Sequence, residues 1–255
     1  MPDERLFTPL TRWRVVLVSP QNSENVGAVA RLVMNFAYGG GLWIVNPQCD
    51  VRSTGEAGRL SRPPGHQILD SAHIVQTLEQ ALSGTTLSIA TTMHQLEDRP
   101  CEIIGFNPTL ISNRHLTGDA AIVFGREDNG LTNDECSLCT YRWAFSLNPE
   151  FPSMNLAQAV AAVSACIQAN ANLQEDVIDD TPSEIAKFNE LDGLIRHVQE
   201  MLEAIDFERG VPIKYPLRLI RRLASRSELT ISDVQVLRGV CRRVINATKK
   251  GKTLE

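Results

Sequence analysis

No apolar run in this sequence is long enough to cross a bilayer: the longest, Leu156 to Ile167, is broken by Gln158 and Ser164 and falls well short of the roughly 20 residues that a spanning helix needs. Met1 to Arg14 mixes charges with Pro2 and Pro9 and lacks the apolar core of a secretory signal. Six cysteines, at 49, 101, 136, 139, 166 and 241, are too scattered for a disulfide framework and fit a reducing compartment. Cys136 and Cys139 form one C-x-x-C, but no second Cys or His pair follows at finger spacing, so the pair is expected in a short helix after Asp134. A Gly-x-Gly-x-x-Gly after the first strand is missing, which excludes the dinucleotide-binding fingerprint. So is a Gly-x-Ser-x-Gly around Ser153, which removes a hydrolase nucleophile. There is no internal repeat or low-complexity block. The expectation is a soluble cytoplasmic protein with no metal and no membrane partner.

The net charge of -5 conceals an asymmetry. Twelve Lys or Arg against three acids lie from Arg209 to Glu255, a segment of +9, which leaves -14 on residues 1 to 208. Eleven acids against two bases fall within Glu175 to Glu208. A basic segment of that density suggests a polyanion partner, because each phosphate contact releases counterions; a solvated helical face is the alternative that charge alone leaves open.

Up to residue 174 short apolar runs alternate with helical patterns, the signature of a parallel α/β sheet. Candidate strands are Arg14 to Val18, Leu42 to Val45, Thr86 to Thr91, Ala120 to Phe124 and Arg142 to Leu147. A first helix is expected from near Asn25, with Val26, Val29, Ala30, Val33 and Phe36 on one stripe and Arg31 on another face. Ile74 to Leu82 and Leu156 to Leu173 also read as helices, the latter capped by Asn155. The polar, acidic residues 175–183 read as a linker. Beyond them the pattern is wholly helical: Glu184 to Ile205, Leu217 to Ala224, and Ile231 to Ala247 with Val234, Leu237, Val240, Cys241 and Val244 as its buried stripe.

Three loops each follow a strand and open a helix, where a parallel sheet offers its ends to ligands. The first, Ser19 to Arg31, holds Asn25 and Gly27; the glycine leaves room beside a helix start that suits an anion, and Arg31 adds a fork of donors. Phe124 to Thr132 is the second, with glycines that allow a planar ligand against the main chain and Glu127 placed to orient a neighbouring loop. The third, Asn148 to Leu156, carries the Ser153 hydroxyl and Asn155.

In this order the loops resemble the three motifs of the SPOUT methyltransferases: Asn25-Val26-Gly27 with Arg31, then Phe124-Gly125-x-Glu127 with Gly130-Leu131-Thr132, then Ser153-Met154-Asn155-Leu156. Within that superfamily Val123 to Glu127, Gly130 to Asn133 and Asn148-Pro149-Glu150 are similar to the TrmJ group, the tRNA cytidine/uridine 2'-O-methyltransferases. Leu219-Ile220-Arg221-Arg222-Leu223 and Val236-Leu237-Arg238-Gly239 look like that group's C-terminal extension. The likeness departs at Gly39-Gly40-Gly41, one residue long, at Pro152, and from Glu97 to His115.

The resemblance implies a parallel sheet with helices on both faces and a C-terminal deep trefoil knot, a SPOUT domain over 1–174, and a helical extension over 184–255. It implies S-adenosylmethionine held by Thr91, Thr92, Met93, Gly125, Phe145, Pro152, Ser153 and Met154. By the same resemblance Arg31 and Ser153 form the catalytic pair, with Asn25 and Glu127 in support. The implied reaction is methylation of a ribose 2'-hydroxyl in tRNA by a homodimer, at cytidine or uridine in the first anticodon-loop position, position 32. The wobble nucleotide, ribosomal RNA, and a catalytically silent RNA-binding module are the alternatives. Arg218, Arg221, Arg222, Arg226, Arg242 and Arg243 are expected to meet RNA phosphates, with Leu219, Leu223, Leu237 and Val244 buried behind them.

Overall fold

The structure, a computed structural model, describes residues 10–92, 103–104, 118–145, 147–148, 150–171, 184–207 and 212–251. Two compact units make up the chain, one of residues 1–82 and 87–179 and one of 180–255 together with 83–86.

Among the described residues seven strands form one sheet: β1 Trp13–Val18, β2 Leu42–Val45, β3 His73–Val75, β4 Thr85–Thr92, β5 Ile103–Ile104, β6 Asp119–Phe124 and β7 Tyr141–Ala144. Their order is β3-β2-β1-β6-β4-β7-β5. Parallel pairing joins β1 to β2 and β6, β2 to β3, and β7 to β4 and β5. Every residue of β1 and all but Asp119 in β6 are buried, so both faces of the sheet centre are covered. That explains why these strands read as continuous apolar runs. The described residues do not decide the knot implied by the resemblance, and most of the departure from Glu97 to His115 lies outside them.

Among the described residues of the first unit there are five helices: α1 Ser23–Asn35, α2 Glu56–Asp70, α3 Leu78–Leu82, α4 Asn133–Leu138 and α5 Leu156–Ala171. The predicted stripe of α1 is buried at Val26, Val29, Ala30 and Val33. Its start is not at Asn25 but two residues earlier, because the Asn22 side chain accepts from the Glu24 and Asn25 N–H groups and caps the helix. The single helix expected over Ile74 to Leu82 is instead β3 followed by α3. β7 ends at Ala144 rather than Leu147. α2 escapes a reading of local pattern because Pro63 and Pro64 lie inside it, behind Arg62 at φ 64° and ψ 161°, a kink that joins two helical pieces. Tyr38 donates its hydroxyl to Ser164 Oγ at 2.8 Å, and Ser164 in turn donates to the Val160 carbonyl, tying the turn after α1 to the buried side of α5.

The second unit packs α6 Phe188–Ala204, α7 Lys214–Arg226 and α8 Ile231–Gly251 around Ala186, Leu194, Val198, Leu202, Val234 and Cys241. Thr230 and Asp233 cap α8 reciprocally: each backbone N–H donates to the other's side chain, at 2.9 and 3.2 Å. The stripe expected along α8 holds at Val234 and Cys241 but not at Leu237 and Val240, which are exposed. Leu219 and Leu223 on α7 are exposed as well, against the expectation that they are buried. Pairing with α6 uses a narrower face of each helix than its apolar residues span.

Candidate active site

The three loops meet through one carboxylate and two amides. Glu127 accepts the Gln21 N–H at 2.9 Å, the Asn22 N–H at 3.2 Å and the Asn25 Nδ2 at 2.9 Å, so the second loop grips the first. Gln21 returns the contact by donating Nε2 to Asp128 at 3.1 Å. Asn25 Oδ1 then accepts from Asn155 Nδ2 at 2.8 Å, which joins the first loop to the third. Asn155 Oδ1 remains to cap α5 by accepting the Ala157 N–H at 2.9 Å. Asn25 is therefore the middle of a relay from Glu127 to Asn155, not a helix cap. At the start of α1 the Glu24 and Asn25 N–H groups are taken by Asn22, and a Cβ on Gly27 would lie 2.0 Å from the Ala57 carbonyl oxygen. Close packing on α2 explains that glycine; room for an anion does not.

The second loop is held in shape from both ends. A Cβ on Gly125 would fall 2.1 Å from the Gly130 carbonyl carbon, so only glycine lets the turn close, and Arg126 and Gly130 exchange backbone hydrogen bonds of 3.2 and 2.9 Å. Arg126 donates to both oxygens of Glu135 at 3.0 and 2.9 Å, and Thr132 with Glu135 forms the capping box of α4. Burial pushes the Glu135 carboxyl up, but the hydrogen bonds from Arg126 and Thr132 outweigh it and leave it below the usual carboxylate range. Cys136 and Cys139 are both buried, and burial pushes the Cys139 thiol up, away from the thiolate that a metal or redox role requires.

Two cavities open onto this framework. One, of about 660 Å³, lies between the second and third loops and is lined by Thr91, Thr92, Gly125, Phe145, Pro152, Ser153 and Met154 among others. The other, of about 620 Å³, is lined by Asn25, Glu127, Phe151, Ser153 and Asn155 with their neighbours. Ser153 and Glu127 border both, so a hydroxyl and a carboxylate stand at the junction. Thr91 is buried and donates Oγ1 to the Val123 carbonyl at 2.9 Å, while Phe145 stacks on Trp143. Of the residues expected to hold the cofactor, all but Met93 line the larger cavity; Met93 lies outside the described residues. Arg31 is exposed on α1 and lines neither cavity. Spacing did not reveal Asn22 or Phe151, one a cap three residues early, the other an aromatic beside Pro152.

In the second unit Arg242 and Arg243 are exposed, whereas Arg218, Arg222 and Arg226 are half-buried. Arg221 departs from its expected role: it donates to Asp192 on α6 at 2.7 Å, with side-chain exposures of 15% and 20%, so its charge is already matched inside the unit. Among the described residues no group of His, Cys, Asp or Glu is placed to hold a metal, and no helix is long and apolar enough to cross a membrane.

Residues 12–165 match the model of the SpoU rRNA methylase family, and 189–253 match that of the C-terminal domain of the tRNA methyltransferase TrmJ. The chain is 29% identical, over 95% of its length and 99% of the relative's, to the tRNA (cytidine/uridine-2'-O-)-methyltransferase TrmJ of Escherichia coli strain K12. It is similar in structure to TrmJ from Z. mobilis ZM4, with a TM-score of 0.75 at 26% identity over 93% of this chain and 99% of that one. A probable methyltransferase from Bordetella pertussis Tohama I superposes with a TM-score of 0.56 at 31% identity, covering 64% of this chain and 97% of that one.

Proposed function

The chain belongs to the SpoU methylase family, and from that premise we propose that it methylates the ribose 2'-hydroxyl of cytidine or uridine in tRNA, at the first anticodon-loop position, using S-adenosylmethionine. The observation that carries this reading is the relay Glu127–Asn25–Asn155, which ties all three motif loops around Ser153 at the junction of two cavities.

The larger cavity fits the cofactor. Its volume lies in the range of small-molecule pockets, apolar Phe124, Phe145, Met154 and Leu156 suit an adenine ring, and Glu127 and Asp128 suit a positive charge. Thr91, Thr92, Gly125, Phe145, Pro152, Ser153 and Met154 would hold it. When bound, the cofactor supplies an electrophilic methyl carbon on sulfur. The protein's task is then to align the ribose hydroxyl and manage its proton. Ser153 can donate to or accept from that hydroxyl from its place between the cavities. Glu127 and Asn155 fix both ends of the Asn25 amide, which holds the first loop against the hydroxyl's approach. Arg31 carries a planar fork of N–H donors that matches a phosphate, so a grip on the substrate phosphate is its role in this reading.

In the second unit Arg218, Arg222, Arg226, Arg242 and Arg243 supply the cationic surface for tRNA. The active form is a homodimer: the outward positions of α5 include Ala161, Ala162, Ala165 and Ala169, small residues that let a second helix approach closely. The protein works in the cytoplasm. Incubation with tRNA and isotope-labelled S-adenosylmethionine, followed by nucleoside mass spectrometry, should yield labelled 2'-O-methylcytidine or 2'-O-methyluridine. Labelled base-methylated nucleosides, or none, would reject this reading.

A further inference from the structure

Phe151 is 73% exposed, although a phenyl ring left in water forgoes the burial that usually stabilises it. Its position is nonetheless defined. The Phe151 N–H donates to the Asn148 carbonyl at 2.9 Å, and the Glu150 N–H donates to Asn148 Oδ1 at 3.0 Å, a turn that sets the ring at the rim of the smaller cavity. That cavity is also lined by Asn25, Glu127, Ser153 and Asn155, and among the described residues no Lys or Arg lines it. A ring and amides without a cation do not make a phosphate site. They match how proteins take up an unstacked nucleobase, with an aromatic face for stacking and polar groups for the edge.

From this we infer that Phe151 is the platform on which the base of the target nucleotide stacks, which places the ribose beside Ser153; the inference rests on the tRNA reading above. A phenyl ring has no donor or acceptor, so it does not distinguish cytosine from uracil. Gln158, which lines the same cavity, carries both a donor and an acceptor in its amide and can meet either pyrimidine edge. Acceptance of both pyrimidines then follows from the site's chemistry.

The test uses the full chain with tRNA in which the target cytidine is replaced by fluorescent pyrrolocytidine, whose emission is quenched on stacking. Phe151→Ala and Phe151→Leu are expected to raise the KM for tRNA roughly 5- to 150-fold, the range set by removing one base stack, and to abolish the quenching. Affinity for S-adenosylmethionine and thermal stability should stay as in the wild type, and Phe151→Tyr, which keeps the ring, should restore both KM and quenching. The inference is overturned if Phe151→Leu behaves like Phe151→Tyr, since apolar bulk would then suffice. A shift in oligomeric state by light scattering would overturn it too, making Phe151 a subunit contact. Failure of the wild type to methylate any tRNA would strike the underlying reading instead, and quenching by the wild type alone would then still support a base-stacking ring.

Discussion

Glu127 presents two acceptor oxygens to three N–H donors from one loop, and an amide in its place would turn an NH2 group toward at least one of them. Glu127→Gln should therefore loosen the first loop and lower the single-turnover methylation rate about 10- to 100-fold, about 1.4 to 2.7 kcal/mol, with the fold intact by circular dichroism. A wild-type rate would remove the relay from the mechanism. Tyr38 tests a different part of the unit. Burial pushes its phenol up to about 12. The folded state thus favours the neutral phenol over the unfolded chain's value of about 10. That contribution is complete below about pH 10 and is lost as pH rises through about 12. Denaturant unfolding between pH 8 and 12 should show this decline in the wild type and a shallower one in Tyr38→Phe. At neutral pH that variant should be about 1 kcal/mol less stable, the worth of one buried hydrogen bond.

At the scale of elements, the approach of α1 to α2 leaves no space at Gly27. Gly27→Ala would bring a methyl carbon within 2.0 Å of the Ala57 carbonyl oxygen, and backbone cannot rotate away as a side chain can. A destabilisation of about 1 to 3 kcal/mol is expected, seen as a lowered Tm, with weaker methylation because α1 begins in the first motif loop. An unchanged Tm would show that the two helices can part freely. An ion pair joins α6 to α7 beside the apolar packing of Leu217 and Ile220. Arg221→Glu would set two carboxylates where Arg221 and Asp192 now pair in a half-dry site, so the C-terminal unit should lose stability whatever happens to RNA binding.

For the whole molecule, charge is the organising feature: the segment from Arg209 carries +9 and the remainder -14. Reversing Arg222, Arg242 and Arg243 to Glu should weaken tRNA binding and flatten its dependence on salt, by about 0.9 in the logarithmic slope for each phosphate no longer neutralised. Affinity for S-adenosylmethionine, measured by calorimetry, should be unaffected. Equal slopes for wild type and triple variant would make the basic helices a solvated face and move the RNA-binding surface to the cavities. A homodimer built on α5 should appear in light scattering and give way to monomer in Ala165→Arg, since a long charged side chain there would prevent close helix packing; an unaltered mass would place the interface elsewhere.

Much of this was legible in the residues themselves. β1 and β6 are unbroken apolar runs because both faces of a parallel sheet are covered, and the order of the three motif loops by itself pointed to the family. The charge asymmetry is a property of composition alone. Local pattern had no access to the pairings that decide the site. Asn25 reads only as the neighbourhood of a helix start, yet its side chain bonds to Glu127 and Asn155, 102 and 130 residues away. Gly27 looks like room for a ligand until α2, itself hidden by Pro63 and Pro64, fills that room. Arg221 looks like one more RNA-binding arginine, but α6 meets it with Asp192. Leu219, Leu223, Leu237 and Val240 carry the helical apolar period and still face outward, because three helices around one small core bury only a narrow stripe of each. Periodicity records which side chains avoid water; which partner each one meets is decided only when distant segments are brought within hydrogen-bonding distance.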